Sequence, residues 1–265
     1  MTFFLLSMVL VVATVSVARP ALVGQSPVPV TGVTAPHMLA IMAVLIVVAL
    51  LFGPVSALAL LTAHLLHELG LVIAHRLAGH RDVRFRMLPT PLSGPVSGET
   101  HDTDLSALFV RLFGTGFSLA PMVAAFALAD LTLASKFAPL SPLFGSLALF
   151  IGAYNFVALL PVWPLTGGHI VRLLMRPQVP KVSPLPALAF CMSLTALAWS
   201  LGSLLLFIVA LCMALAYLLQ PPMVLDRPAL SLRHMVLGIG AYLATLSAFF
   251  LGGWWVILLI ASSGA

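Results

Sequence analysis

Charge is what this sequence has least of. Twelve Lys and Arg and seven Asp and Glu make up 7% of its 265 residues, where a soluble domain carries roughly a quarter. A water-facing surface cannot be built from that inventory, so a soluble fold is excluded. Cysteine is nearly absent too: Cys191 and Cys212 stand far apart inside apolar runs. That excludes a disulfide framework and a thiolate metal site, and leaves two thiols expected to be buried and structural. No internal repeat, phosphate-cradling glycine loop, nucleophile elbow or low-complexity tract is found. What is abundant is hydrophobic surface, 62% of residues with a mean hydropathy of +1.17. Apolar runs recur near the ~20 residues that cross a bilayer.

The runs and their punctuation predict an all-α polytopic membrane protein with about eight transmembrane helices. They cover residues 3–17, 38–52, 55–78, 105–131, 141–160, 185–201, 203–219 and 234–260, with Gly53-Pro54 separating the second from the third. The first run ends at Ser16-Val17-Ala18 before Arg19-Pro20. It reads as a signal peptide or a retained span, and the lack of a basic leader favours the span. A net charge of +5 would suggest nucleic acid in a soluble protein. Here the basic residues lie in short loops between apolar runs, and no nucleic-acid partner is expected. With eight crossings, one face receives Arg19, Arg76, Arg81, Arg84, Arg86, Arg111, Arg172, Arg176, Lys181, Arg227 and Arg233, and the other Lys136 alone. The basic face is therefore expected to be cytoplasmic, with both termini on the opposite side.

Two segments interrupt the helices. In the polar loop from Gly79 to Asp104, the stretch Asp82 to Leu88 alternates at period two, predicting a short strand or β-hairpin at the cytoplasmic surface. Its tail, Glu99 to Asp104, reads as a solvated turn in which Thr103 or Asp104 caps the next helix. Between the fifth and sixth helices, Pro161 to Met175 carries a Pro-x-x-Pro and a Gly-Gly, predicting a re-entrant turn and a short interfacial helix.

The third helix holds the chemistry. His64, His67, Glu68 and Leu71 follow i, i+3, i+4, i+7 and share one face. Ionisable groups at membrane depth are costly and are rarely kept without a partner or a function. His67 lies roughly 13 Å along the helix from Arg76, inside the bilayer and nearer the cytoplasm. His75, like His37, His80 and His234 at other span ends, reads as an interfacial side chain.

His67-Glu68-Leu69-Gly70 is the first half of H-E-x-x-H, in which two histidines one turn apart bind zinc and the glutamate is the general base. The link Arg76-Leu77-Ala78-Gly79 to Leu88-Pro89, Pro91-Leu92 and Gly94 follows, and later comes Ala158-Leu159-Leu160-Pro161-Val162-Trp163-Pro164-Leu165-Thr166-Gly167-Gly168-His169. In order and spacing these blocks resemble the site-2 protease family of intramembrane zinc metalloproteases, over residues 55–176. The resemblance implies a membrane core at 55–176 between N-terminal helices (1–54) and C-terminal transmembrane helices (177–265). It also implies His67 as a zinc ligand and Glu68 as the general base.

The departures fall on the metal site. Leu71 stands where the second zinc histidine belongs and Thr166 where the ligand aspartate belongs. Ala158 replaces the asparagine, with Asn155 one turn earlier, and Gly114-Thr115-Gly116-Phe117-Ser118 departs from G-P-x-x-N. A catalytic zinc needs three protein ligands and an open position, which Leu71 and Thr166 do not complete. Two functions are carried forward. One is a non-catalytic homologue binding a transmembrane segment in a cleft around Asn155, Gly114, Gly116, Gly167 and Gly168. The other is an active zinc protease with rewired ligands His64, His67 and His169 and Glu68 as base. Zinc is the expected cofactor in the second and none in the first.

Overall fold

The computed structural model describes residues 2–23, 26–88, 95–176, 185–218 and 227–262. Gly94, Pro89, Pro91 and Leu92 of the family-like link, and Lys181, lie outside them. The described chain is helical almost throughout: α1 (Thr2–Leu22), α2 (Ala35–Phe52), α3 (Pro54–Leu77), α4 (Asp104–Gly116), α5 (Leu119–Leu133), α6 (Ser141–Ala158), α7 (Thr166–Met175), α8 (Leu185–Leu201), α9 (Leu204–Leu218) and α10 (Leu232–Ser262). Among the described residues, six helical units are long and apolar enough to cross a membrane: Phe4–Leu22, Ala35–Phe52, Pro54–Leu77, Asp104–Leu133, Ala138–Ala158 and Leu232–Trp254. Leu185–Leu201 and Leu206–Leu215 are shorter apolar helices.

The boundaries have local causes. Gly53 takes φ +89°, which L side chains rarely adopt, and Pro54 opens α3 at the position where its missing N–H is harmless. The expected fourth helix is instead divided at Phe117-Ser118. Pro121 cannot donate to the Phe117 carbonyl four residues back, and Ser118 N–H bonds Thr115 in a tightened turn.

Helix α3 is the most enclosed of the six units, with 61% of its apolar window buried, against none for α2. It packs on α6 and α4, while α6 also meets α5 and α10. The largest core cluster joins Ile151, Leu159, Ile170, Leu173, Tyr242 and Phe249. Helices α3 and α4 touch backbone to backbone: a Cβ added to Gly70 would collide with the Gly114 carbonyl oxygen. Gly116, expected to share in close approach, has open space around it.

Phe85–Arg86 (β2) does form a strand, but not a hairpin. It pairs in parallel with Val30–Thr31 (β1), from the connection before α2. Period-two alternation predicts a strand and is silent about its partner. The pairing gathers the α1–α2 and α3–α4 connections at one end of the bundle. At that end Arg76 donates to the carbonyls of Ala21 (3.2 Å) and Ser26. There too Asp104, expected in a solvated turn, is fully buried, accepting from Arg176 (2.9 Å) and Arg227 (2.6 Å), while Thr103 caps α4. Cys191 is buried as expected. Cys212 is exposed on α9.

Overpacking at the α3–α4 contact should be measurable. Gly70→Ala is expected to lower thermal stability in detergent by about 1–3 kcal/mol. Gly116→Ala, which gains a better helix former without a clash, is expected to be neutral or stabilising by about 0.5–1 kcal/mol.

Candidate functional site

The inward face of α3 carries His64, His67 and Glu68, all buried, Glu68 completely. A carboxylate there needs a partner, and β2 supplies it. Arg86 donates from Nε to Glu68 Oε2 at 2.8 Å and from Nη2 to Oε1 at 2.7 Å. This is the bidentate fork that suits guanidinium to carboxylate. The β1 pairing positions the arginine: Thr31 is in register with Arg86, and the N–H groups of Phe85 and Met87 bond Pro29 and Thr31 on either side of it.

The histidines are held as firmly. His64 Nε2 donates to the Met87 carbonyl (3.0 Å), which can only accept, so Nδ1 accepts from the Tyr154 hydroxyl (2.9 Å). His67 Nδ1 lies 2.8 Å from Asn155 Oδ1. Asn155 gives its amide N–H to the Ile151 carbonyl, so its oxygen is the acceptor and His67 Nδ1 is the donor. The Tyr154 ring sits edge-on to both imidazoles, at 5.8 Å and 5.4 Å between centroids. Asn155 is thus buried as an orienting partner for His67.

Leu71 and Thr166, distant in sequence, line one cavity of about 290 Å³ together with His75, Arg86, His101, Arg111 and His169. Leu71 packs with Val72, Val83 and Val96. Thr166 opens α7, and Ala158 is the last residue of α6, half-buried. Burial, then the cations Arg111 and Arg172, lower His169 to about 3. Burial also lowers His101, to about 4, with His80 and Arg111 adding to it.

These residues do not fit a hydrolytic zinc centre. The tautomer of His67, with Nδ1–H given to an oxygen, is the one metal-binding histidines adopt. Glu68, however, has both oxygens engaged by one guanidinium, and both His64 nitrogens are spent. Nor do His64, His67 and His169 converge. Among the described residues, three ligand atoms lie within 4.8 Å of one another only in His75/His80/His101 and in His80/Asp82/Glu99. Groups able to hold a metal ion do exist, but away from the H-E pair. The glycines expected to line a partner cleft pack internally instead: Gly114 against Gly70 and Leu71, Gly167 and Gly168 against the backbone of residues 159–163.

Three elements escaped the sequence reading. Arg86 and Tyr154 become partners of the α3 face only through tertiary structure. His75 and His80, expected at the interface, are half-buried and buried respectively, and meet His101. Their signal was present: a histidine, then a glycine four residues on, then a histidine, at a helix end. Comparison of the chain with protein-family models, curated proteins and solved structures gives no match.

The Glu68–Arg86 pair should show strong coupling. Arg86→Met alone leaves a buried, unpaired carboxylate and is expected to destabilise the protein by about 3–5 kcal/mol. Adding Glu68→Leu should recover most of that loss in thermal unfolding measurements, since an apolar pair of similar volume is often neutral.

Proposed function

We propose that this chain is a site-2-protease-like membrane protein that does not cut peptide bonds, and that it receives an apolar transmembrane segment of a partner in the bilayer. The observation that carries the proposal is the ion pair: the glutamate that would activate water is held by Arg86 at 2.7–2.8 Å through both oxygens. The family resemblance gains support from Leu71 and Thr166, the two positions that would complete a zinc site, lining one cavity. Its chemistry is opposed by the same residues, an alkyl group and an alcohol where an imidazole and a carboxylate would be needed.

The receiving surface in this reading is the groove between α2 and α3. It encloses about 340 Å³ and is lined by Ile41, Val44 and Leu45 of α2, Leu60 and Leu61 of α3, and Leu88. It ends at His64 and Tyr154. Helix α2 has no buried residue, so its separation from α3 would disturb little of the core. With the six long units and the two shorter apolar helices taken as eight crossings, the end that holds the β1–β2 pair is the cytoplasmic one in this reading. The basic residues collect there, and both termini lie on the other side.

A photoreactive residue at Ile41 or Leu61 in proteoliposomes tests this against a synthetic Leu/Ala single-span peptide. Cross-linking is expected at both groove positions and not at Leu50, which is 81% exposed on the outer face of α2. The peptide should be recovered uncut, with capture unchanged by Glu68→Gln. Cleavage of the peptide that disappears in Glu68→Gln would contradict the proposal.

A further inference from the structure

The end of α3 turns back on itself in a way that joins two imidazoles. His80 N–H bonds the His75 carbonyl (3.1 Å) and Gly79 N–H bonds the Arg76 carbonyl (3.0 Å), with Gly79 at φ +92°. This six-to-one and five-to-two pattern is a Schellman ending. It normally brings two apolar side chains together across the turn. Here the residues at those positions are His75 and His80, with ring centroids 4.9 Å apart. The loop before α4 adds His101, at 5.3 Å from His75 and 4.6 Å from His80.

From this geometry we infer that His75, His80 and His101 form a binding site for a zinc-class divalent metal ion, separate from the H-E pair of α3. One ligand atom from each lies within 4.8 Å of the others. His80 Nε2 and His101 Nδ1 are 3.1 Å apart, close to the roughly 3.3 Å edge of a tetrahedron with Zn–N bonds of about 2.0–2.1 Å. Imidazole suits zinc, copper, iron and nickel among divalent metals.

Two further features point to a ligand. His75 Nδ1 is buried with no hydrogen-bond partner, an arrangement native structures seldom leave unexplained. His80 is oriented from behind: its Nδ1 donates to Ser97 Oγ (2.7 Å), and Ser97 donates to Asp82 (2.5 Å). Those bonds leave the lone pair on Nε2, toward the other rings, as outer partners of metal-bound histidines do. Without metal, His101 Nδ1–H donates to His80 Nε2. Ligation at that nitrogen shifts the proton to Nε2 of His101 with no net release. Glu99 lines the same cavity and is the nearby carboxylate for a fourth position. Arg111 repels positive charge at both His75 and His101, and the Asp102 carboxylate offsets part of that at His101.

The test uses the full-length protein in detergent, stripped with chelator, loaded with zinc, desalted and analysed by mass spectrometry for metal. A parallel sample is loaded with cobalt(II) and read by its visible spectrum. Stoichiometric zinc is expected, with a tetrahedral cobalt spectrum. Both should be lost in His80→Ala and in His101→Ala, and both kept in His67→Ala and His169→Ala. Ser97→Ala is expected to weaken zinc binding about 10–100-fold. His101 lies in a loop, so His101→Ala, checked by gel filtration, decides the matter even if His80→Ala misfolds. Failure of the folded wild-type chain to retain zinc would overturn the site while leaving the proposed function intact. Zinc kept in His101→Ala but lost in His67→Ala would overturn both.

Discussion

An ionised carboxylate cannot stay inside an apolar helix bundle without a counter-charge, and Glu68 sits on the most enclosed of the six long apolar units among the described residues. Arg86 answers that demand, and much of the local structure follows from it. A guanidinium must reach the middle of the bundle from a chain that has already left it. The segment after α3 therefore folds back, and β1 holds it in register on both sides of the arginine. The same fold-back brings the Met87 carbonyl to His64, and Tyr154 and Asn155 complete the polar cluster from α6. A buried ion pair of this kind adds little net stability, yet loss of one partner is expensive. It acts as a constraint on arrangement.

That constraint also sets the chemistry. A glutamate beside a histidine in a membrane helix suggests hydrolysis, and His67 keeps the tautomer a metal ligand would need. In the proposed reading, the bidentate arginine keeps the glutamate from acting as a base, and Leu71 and Thr166 offer an alkyl group and an alcohol where a hydrolytic metal would need two donors. Among the described residues, the groups able to hold a metal ion lie elsewhere, at the end of α3, where the turn at Gly79 and the loop carrying His101 bring three imidazoles together.

Most of the fold was legible in the sequence because apolar runs and their breaks are local. Gly53-Pro54 marked the α2–α3 junction, and the short helix α7, which contains Gly167-Gly168, was visible from composition. The cap of α4 was legible to within one residue, as Thr103 or Asp104, and it is Thr103. All but one of the errors share a cause: partners distant in sequence. The alternation at Asp82 to Leu88 announced a strand, but Val30–Thr31 could not be named as its partner. Asp104 looked solvated because Arg176 and Arg227 lie far along the chain. Glu68 could be recognised as needing company, yet ten arginines stood at the same face and nothing local singled out Arg86. The division at Phe117-Ser118 was a local miss, since Pro121 was in plain view.

Glu68 is held by Arg86 through both carboxylate oxygens, which leaves neither for a metal-activated water. Solid-state NMR on membrane-embedded protein, labelled with ¹³C at the Glu68 carboxyl and ¹⁵N at the arginine guanidinium, measures that contact directly. Dipolar coupling corresponding to hydrogen-bonded N–O separations of 2.7–2.8 Å is predicted, disappearing in Arg86→Met. Absence of that coupling in the folded wild-type protein would contradict the account.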